Sequence, residues 1–136
     1  MKKQDVDKMT VQEAVDFAVK KIVEQGGRCV DNGSCLYGYE DKHCAVGWLL
    51  DEEDDELMEA GGGVIDMSDG YADTIPDLIT DNLDVFIQLQ GFHDYRSKDN
   101  RVVRLDSLNS LGIDTSGEHF QQWTDMGETY DESVCI

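Results

Sequence analysis

Between Thr10 and Gly27 the chain carries one unbroken apolar stripe, and that stripe dictates a helix. Val11, Ala14, Val15, Ala18, Val19, Ile22 and Val23 recur at intervals of three and four residues, which places all of them on one face of a 3.6-residue helix. Thr10 and Glu13 form a T-x-x-E capping box ahead of the stripe, satisfying two backbone donors at the start. Gly26-Gly27 supplies the stop. A helix over about 10–25 with so continuous an apolar face needs partners to cover it.

The partners are readable with less sharpness. Cys44-Ala45-Val46-Gly47-Trp48-Leu49-Leu50 is apolar all round. It fits a buried helix or a buried strand, and seven residues of periodicity do not choose between them. Asp51 to Glu56 are six consecutive acids, followed by Leu57, Met58 and Ala60 and then Gly61-Gly62-Gly63, which reads as a short acidic helix stopped by glycine. Residues 64–80 are studded with Asp and contain Gly70 and Pro76, so any helix there is short or broken. A second good helix starts at Asp81 or Asn82, runs through Leu83, Phe86, Ile87, Leu89, Gln90 and Phe92, and ends near Arg96. Val102, Val103, Leu105, Leu108 and Leu111 suggest another, ending at Gly112. A last short helix around His119–Met126 holds Phe120 and Trp123, three residues apart. Asn32-Gly33, flanked by short apolar runs, reads as one small β-hairpin near 28–40.

The fold expected is therefore mainly α: a compact bundle of four or five helices with that one hairpin. At 136 residues the chain makes one domain. Residues 1–126 form the acidic globular unit and 127–136 a weakly structured tail. Trp48, Trp123, Tyr37, Tyr39 and Phe92 are expected in the core more than at an interface. Phe120 and Trp123, near the tail, are the aromatics most suited to act as exposed anchors.

Charge narrows the function classes. Thirty acids against eleven Lys and Arg give a formal net charge of −19. Direct nucleic-acid binding needs a basic footprint and is disfavoured. Anionic lipid would repel such a surface. The N-terminus has no signal-peptide pattern, and no apolar run is long enough to span a bilayer. Cytoplasmic localisation is expected, with Cys29, Cys35, Cys44 and Cys135 as reduced thiols.

The segment Cys35-Leu36-Tyr37-Gly38-Tyr39, then Lys42-His43-Cys44-Ala45-Val46-Gly47-Trp48-Leu49-Leu50 and Asp51-Glu52, resembles a group of small uncharacterised bacteriophage proteins. In that group a Cys-x-Tyr segment precedes a Lys-x-Cys-Ala-Val-Gly-x-Leu segment and an acidic turn. The resemblance covers about the first 60 residues and departs in the greater acidity after residue 50. It implies a phage or prophage source and carries no chemistry with it. Small proteins of such origin often act on host enzymes.

Whether the acidity imitates DNA depends on density. Spread over the roughly 7,000 Å² expected of a folded protein this size, the charge is about one per 380 Å². A duplex taken as a cylinder about 20 Å wide carries about one per 110 Å². Mimicry therefore requires clustering. Asp66, Asp69, Asp73, Asp77, Asp81 and Asp84 recur every three or four residues, and Asp51, Glu52, Glu53, Asp54, Asp55 and Glu56, with Glu59 beyond them, make a second row. Gly70 and Pro76 mean the first row is assembled from pieces. These thirteen acids are the expected partner-binding residues, facing Lys and Arg of a host nucleic-acid-binding protein. The competing expectation is an acidic surface that only confers solubility.

Other chemistries fit less well. Zinc would use Cys29, Cys35, His43 or Cys44, but their spacing lacks a close Cys pair. That set defines the alternative function, a small metal-binding or regulatory module. A Cys44 nucleophile would pair with His43, His93 or His119; His43 is a poor base for it because neighbours on a helix diverge by about 100°, and of the others His93 has Asp94 beside it to orient it. The Asp66–Asp77 stretch puts Tyr71 and Asp77 where a calcium loop wants Gly and Glu. No catalytic residue and no cofactor is expected.

Overall fold

The stripe forms the helix that its capping box dictates. In the computed structural model α2 spans Val11–Gln25, with Glu13 N–H donating to Thr10 Oγ1 at 3.1 Å and Thr10 N–H to Glu13 Oε1 at 3.0 Å. Gly26 closes it at φ 81°, a left-handed conformation that glycine adopts without a Cβ penalty. Ala14, Val15, Ala18, Val19 and Ile22 are fully buried. The structure describes residues 2–28, 30–31, 34–35, 38–39, 42–51, 53–54, 58 and 74–128.

A four-residue α1 (Lys3–Val6) precedes this helix. After it come two antiparallel ladders of two residues each. The first pairs β1 (Val30–Asp31) with β2 (Ser34–Cys35), within the stretch where the sequence predicts a hairpin; Asn32 and Gly33 lie outside the described residues. The second pairs β3 (Gly38–Tyr39) with β4 (Lys42–His43) and was not foreseen. The apolar run that fitted either helix or strand is a 3-10 helix over Val46–Leu49. Gln25 holds it to the end of α2. Its Oε1 accepts from His43 N–H and from Trp48 Nε1–H, both at 3.0 Å, and its Nε2 donates to the His43 carbonyl at 2.8 Å.

The second half of the chain is helical: α3 (Asp77–Thr80), α4 (Leu83–Asp94), α5 (Lys98–Ser110) and α6 (Glu118–Asp125). Together with α2 these make the mainly helical bundle anticipated, with α2 packed on α6 and α4 on α5. Pro76 sits at the N-cap of α3, where its fixed φ and missing N–H cost nothing. The Asp row is interrupted again at Asn82, whose φ of −133° separates α3 from α4. Among the described residues no helix is long and apolar enough to cross a membrane.

Two sequence expectations need correction. Phe120 and Trp123 are fully buried and are not exposed anchors. They lie on the one face of α6 that turns into the bundle, and Trp123 Nε1–H donates to the Phe92 carbonyl at 2.7 Å. In α5 the buried stripe is not the one the aliphatic residues suggested. Val102 and Val103 are 44% and 52% exposed and Leu111 is 42% exposed. The inward positions are Arg101, Arg104, Leu105 and Leu108, also spaced as one helical face. Two arginines occupy it because their stems are apolar and their heads find acceptors inside. Arg101 Nε donates to the Tyr95 carbonyl at 2.8 Å and Nη1 to the Trp123 carbonyl. Arg104 reaches Gln88 Oε1 at 2.9 Å and Tyr95 Oη at 3.1 Å.

Gly127 and Glu128, assigned by sequence to the tail, are hydrogen-bonded. Glu128 N–H donates to the Arg96 carbonyl at 2.6 Å, and Lys98 N–H to the Glu128 carbonyl at 2.7 Å. Residues 129–136 lie outside the described residues.

Candidate functional site

The expected partner-binding acids divide into three groups. Glu52, Asp55, Glu56, Glu59, Asp66, Asp69 and Asp73 lie outside the described residues. Asp51, Glu53 and Asp77 are described, and each has a lysine partner. Lys2 Nζ sits 3.1 Å from Asp51 Oδ1 and 2.8 Å from Glu53 Oε2. Lys3 Nζ sits 3.1 Å from Asp77 Oδ1 and 3.2 Å from Asp7 Oδ2. The Glu53 N–H, then Lys2, hold the Asp51 carboxyl below its ordinary value. For Asp7, burial pushes the carboxyl up, but the Leu78 N–H and Lys3 outweigh it and the net direction is down. These pairs tie the N-terminal segment to the turn at 51–54 and to the start of α3. Asp54 belongs to that turn, its N–H donating to the Asp51 carbonyl at 3.0 Å while its own carbonyl accepts from Met58 N–H at 3.0 Å.

The third group is Asp81 and Asp84, both exposed. They stand where α3 gives way to α4, opposite the end of α5. Asp84, Ile87, Gln88, Ser107, Ser110 and Leu111 line a groove of about 330 Å³ between α4 and α5. A second hollow of about 420 Å³, lined by residues 80–85 and Leu111, adjoins it and shares Asp84 and Leu111 with the first. The α5 wall is Ser107 and Ser110, three residues apart on one helical face, with Leu111 at the C-cap; Val103 lies one turn before Ser107 on that face, outside the lining. The floor combines Ile87 with Leu111, and the rim carries two carboxylates. Among the described residues no basic side chain lines either hollow. Sequence reasoning singled out Asp81 and Asp84 but missed the opposite wall. The exposed Val103…Leu111 spacing was its only available signal, and it was read as core.

The cysteine region offers less chemistry than its composition suggested. Cys44 is fully buried, and its Sγ accepts from Gly47 N–H at 3.3 Å. His43 is 8% exposed and packs edge-on against Trp48, ring centroids 4.5 Å apart. The side chains of Cys29 and Cys35 lie outside the described residues, and among those described no group of three His, Cys, Asp or Glu is arranged to hold a metal. His93, the other base considered, is fully buried with its Nδ1 2.8 Å from Asp94 Oδ1 and its ring stacked on Trp123. This places it inside the packing of α4 against α6.

No family model, no curated protein and no solved structure matches this chain.

Proposed function

We propose that this chain is an acidic, non-catalytic binding protein that occupies the basic, nucleic-acid-contacting surface of another protein. Following the resemblance of its first 60 residues, it is a phage-encoded inhibitor of a host defence or nucleic-acid enzyme, of anti-restriction or anti-CRISPR type, acting in the host cytoplasm. Its carboxylates take the places of phosphates.

The observation that carries this reading is how the few cations are used. Acids outnumber them by thirty to eleven. Lys2 and Lys3 each pair with two carboxylates. Arg28, Arg101 and Arg104 donate to neutral acceptors, namely the Asp94, Tyr95 and Trp123 carbonyls, Gln88 and Tyr95 Oη. Arg101 is buried and Arg28 and Arg104 are half-buried, and with eleven cations against thirty acids the surface keeps a large acidic surplus. There it steers a basic partner and repels an acidic one.

The test is capture from bacterial lysate at low salt, with elution by high salt or by duplex DNA. Mimicry expects one nucleic-acid enzyme near stoichiometry, released by both. Scattered basic proteins, or one that DNA does not displace, would overturn it.

A further inference from the structure

The α4–α5 groove combines three features that point to the same kind of occupant. Its rim carries Asp81 and Asp84, both exposed, and among the described residues no basic side chain lines either hollow. Its far wall is the C-terminal turn of α5, which contains no basic residue, so the negative end of that helix is uncompensated by its own sequence. Its floor and outer edge are aliphatic: Ile87 half-buried, Leu111 42% exposed, and Val103 a further two turns back at 52%. Asp84 also complements the positive end of α4; Asp81 and the end of α5 are the surplus. An isolated acidic patch would suit any cation, and an isolated aliphatic patch any apolar surface. The two together suit a cation carried on an apolar neighbour.

We propose that this groove docks a partner segment in which Arg or Lys is flanked by aliphatic side chains. The cation lies between Asp81, Asp84 and the α5 carbonyl end, and the aliphatic residues lie on Ile87, Leu111 and Val103. This rests on the proposed acidic-binding function and assigns it a place and a partner chemistry. A groove open between α4 and α5, with the exposed Val103 one turn beyond it, favours a protein segment, since a small ligand is usually enclosed.

Fluorescence anisotropy on the full chain at low salt tests it, using two labelled peptides, one alternating Arg and Leu, the other Arg and Ser. The Arg–Leu peptide should bind about tenfold more tightly, a difference of about 1.4 kcal/mol. Leu111→Ser, and separately Val103→Ser at its more exposed site, should remove that advantage. Asp81→Asn with Asp84→Asn should weaken both peptides. Asp125→Asn, exposed on α6 and lining neither hollow, should weaken neither. Equal binding of the two peptides, or an Arg–Leu advantage untouched by both serine variants, overturns the groove while leaving the acidic-binding reading in place. Failure of both peptides to bind overturns the two together.

Discussion

The guanidinium carbon of Arg101 lies 4.1 Å from the centre of the Trp123 ring, and both residues are buried. The indole also stacks with His93, centroids 5.8 Å apart and planes within 6°. Trp123 thus joins three helices: its own α6, α5 through Arg101, and α4 through His93. A guanidinium over an indole is attracted by the ring quadrupole, more strongly where water is excluded.

Replacing Arg101 by Ala should therefore cost about 3 kcal/mol, because it leaves the Tyr95 and Trp123 carbonyls without this donor and opens a cavity. Arg101→Lys should recover only part of the loss, since an ammonium does not reproduce the planar fork. Urea midpoints measure both. A loss below about 1 kcal/mol for the Ala variant would mean the carbonyls are solvated on their own.

Gly91 on α4 faces Arg104 on α5 so closely that an added Cβ would lie 3.1 Å from Arg104 Cδ. Gly to Ala inside a helix normally gains up to about 1 kcal/mol. Here that gain is offset by displacing the Arg104 arm from Tyr95 and Gln88. Gly91→Ala alone should be neutral or destabilising, and in an Arg104→Ala background it should stabilise by about 0.5–1 kcal/mol. A double-mutant cycle reads the coupling; additive effects would remove the steric account.

These two cases show how far the sequence could be read. The capping box at Thr10 and the glycine at Gly26 are local signals, and α2 was legible to within a residue. The existence of α5 was legible too, but its inward face was not. Periodicity counts Val102 and Val103 as core and Arg101 and Arg104 as surface, and only the carbonyls presented by Tyr95 and Trp123 reverse that order. Those acceptors come from elements distant in sequence. For the same reason Asp81 and Asp84 could be named as exposed acids, whereas the wall facing them, built from the end of α5, could not.

The lowered carboxyls of Asp7 and Asp51 make a pH prediction with a definite sign. A carboxyl held lower in the folded than in the unfolded chain contributes stability above its unfolded value and loses it as pH falls through the folded one. Stability should thus decline on acidification below about pH 4. Lys3→Met should move the folded-state Asp7 titration upward, toward the unfolded value, and so make the acid decline smaller. Carbon-detected NMR titration of the carboxyls reads this directly. An unmoved Asp7 would assign its shift to backbone donors, the Leu78 N–H at 3.0 Å first and the Asp77 N–H after it.

Salt separates local pairing from the global field. The Lys2 and Lys3 pairs are surface pairs, and screening should weaken them. The net charge of −19 acts the other way, since its self-repulsion opposes the compact state. At 0.01 M ionic strength the screening length is about 30 Å, comparable with the whole domain, and at 0.15 M it is about 8 Å. Repulsion across the molecule is then cut off, whereas a pair at 3 Å keeps part of its attraction. The urea midpoint should rise with salt over this range. A midpoint that falls would mean that the lysine pairs outweigh the self-repulsion of the surplus in the stability of the fold.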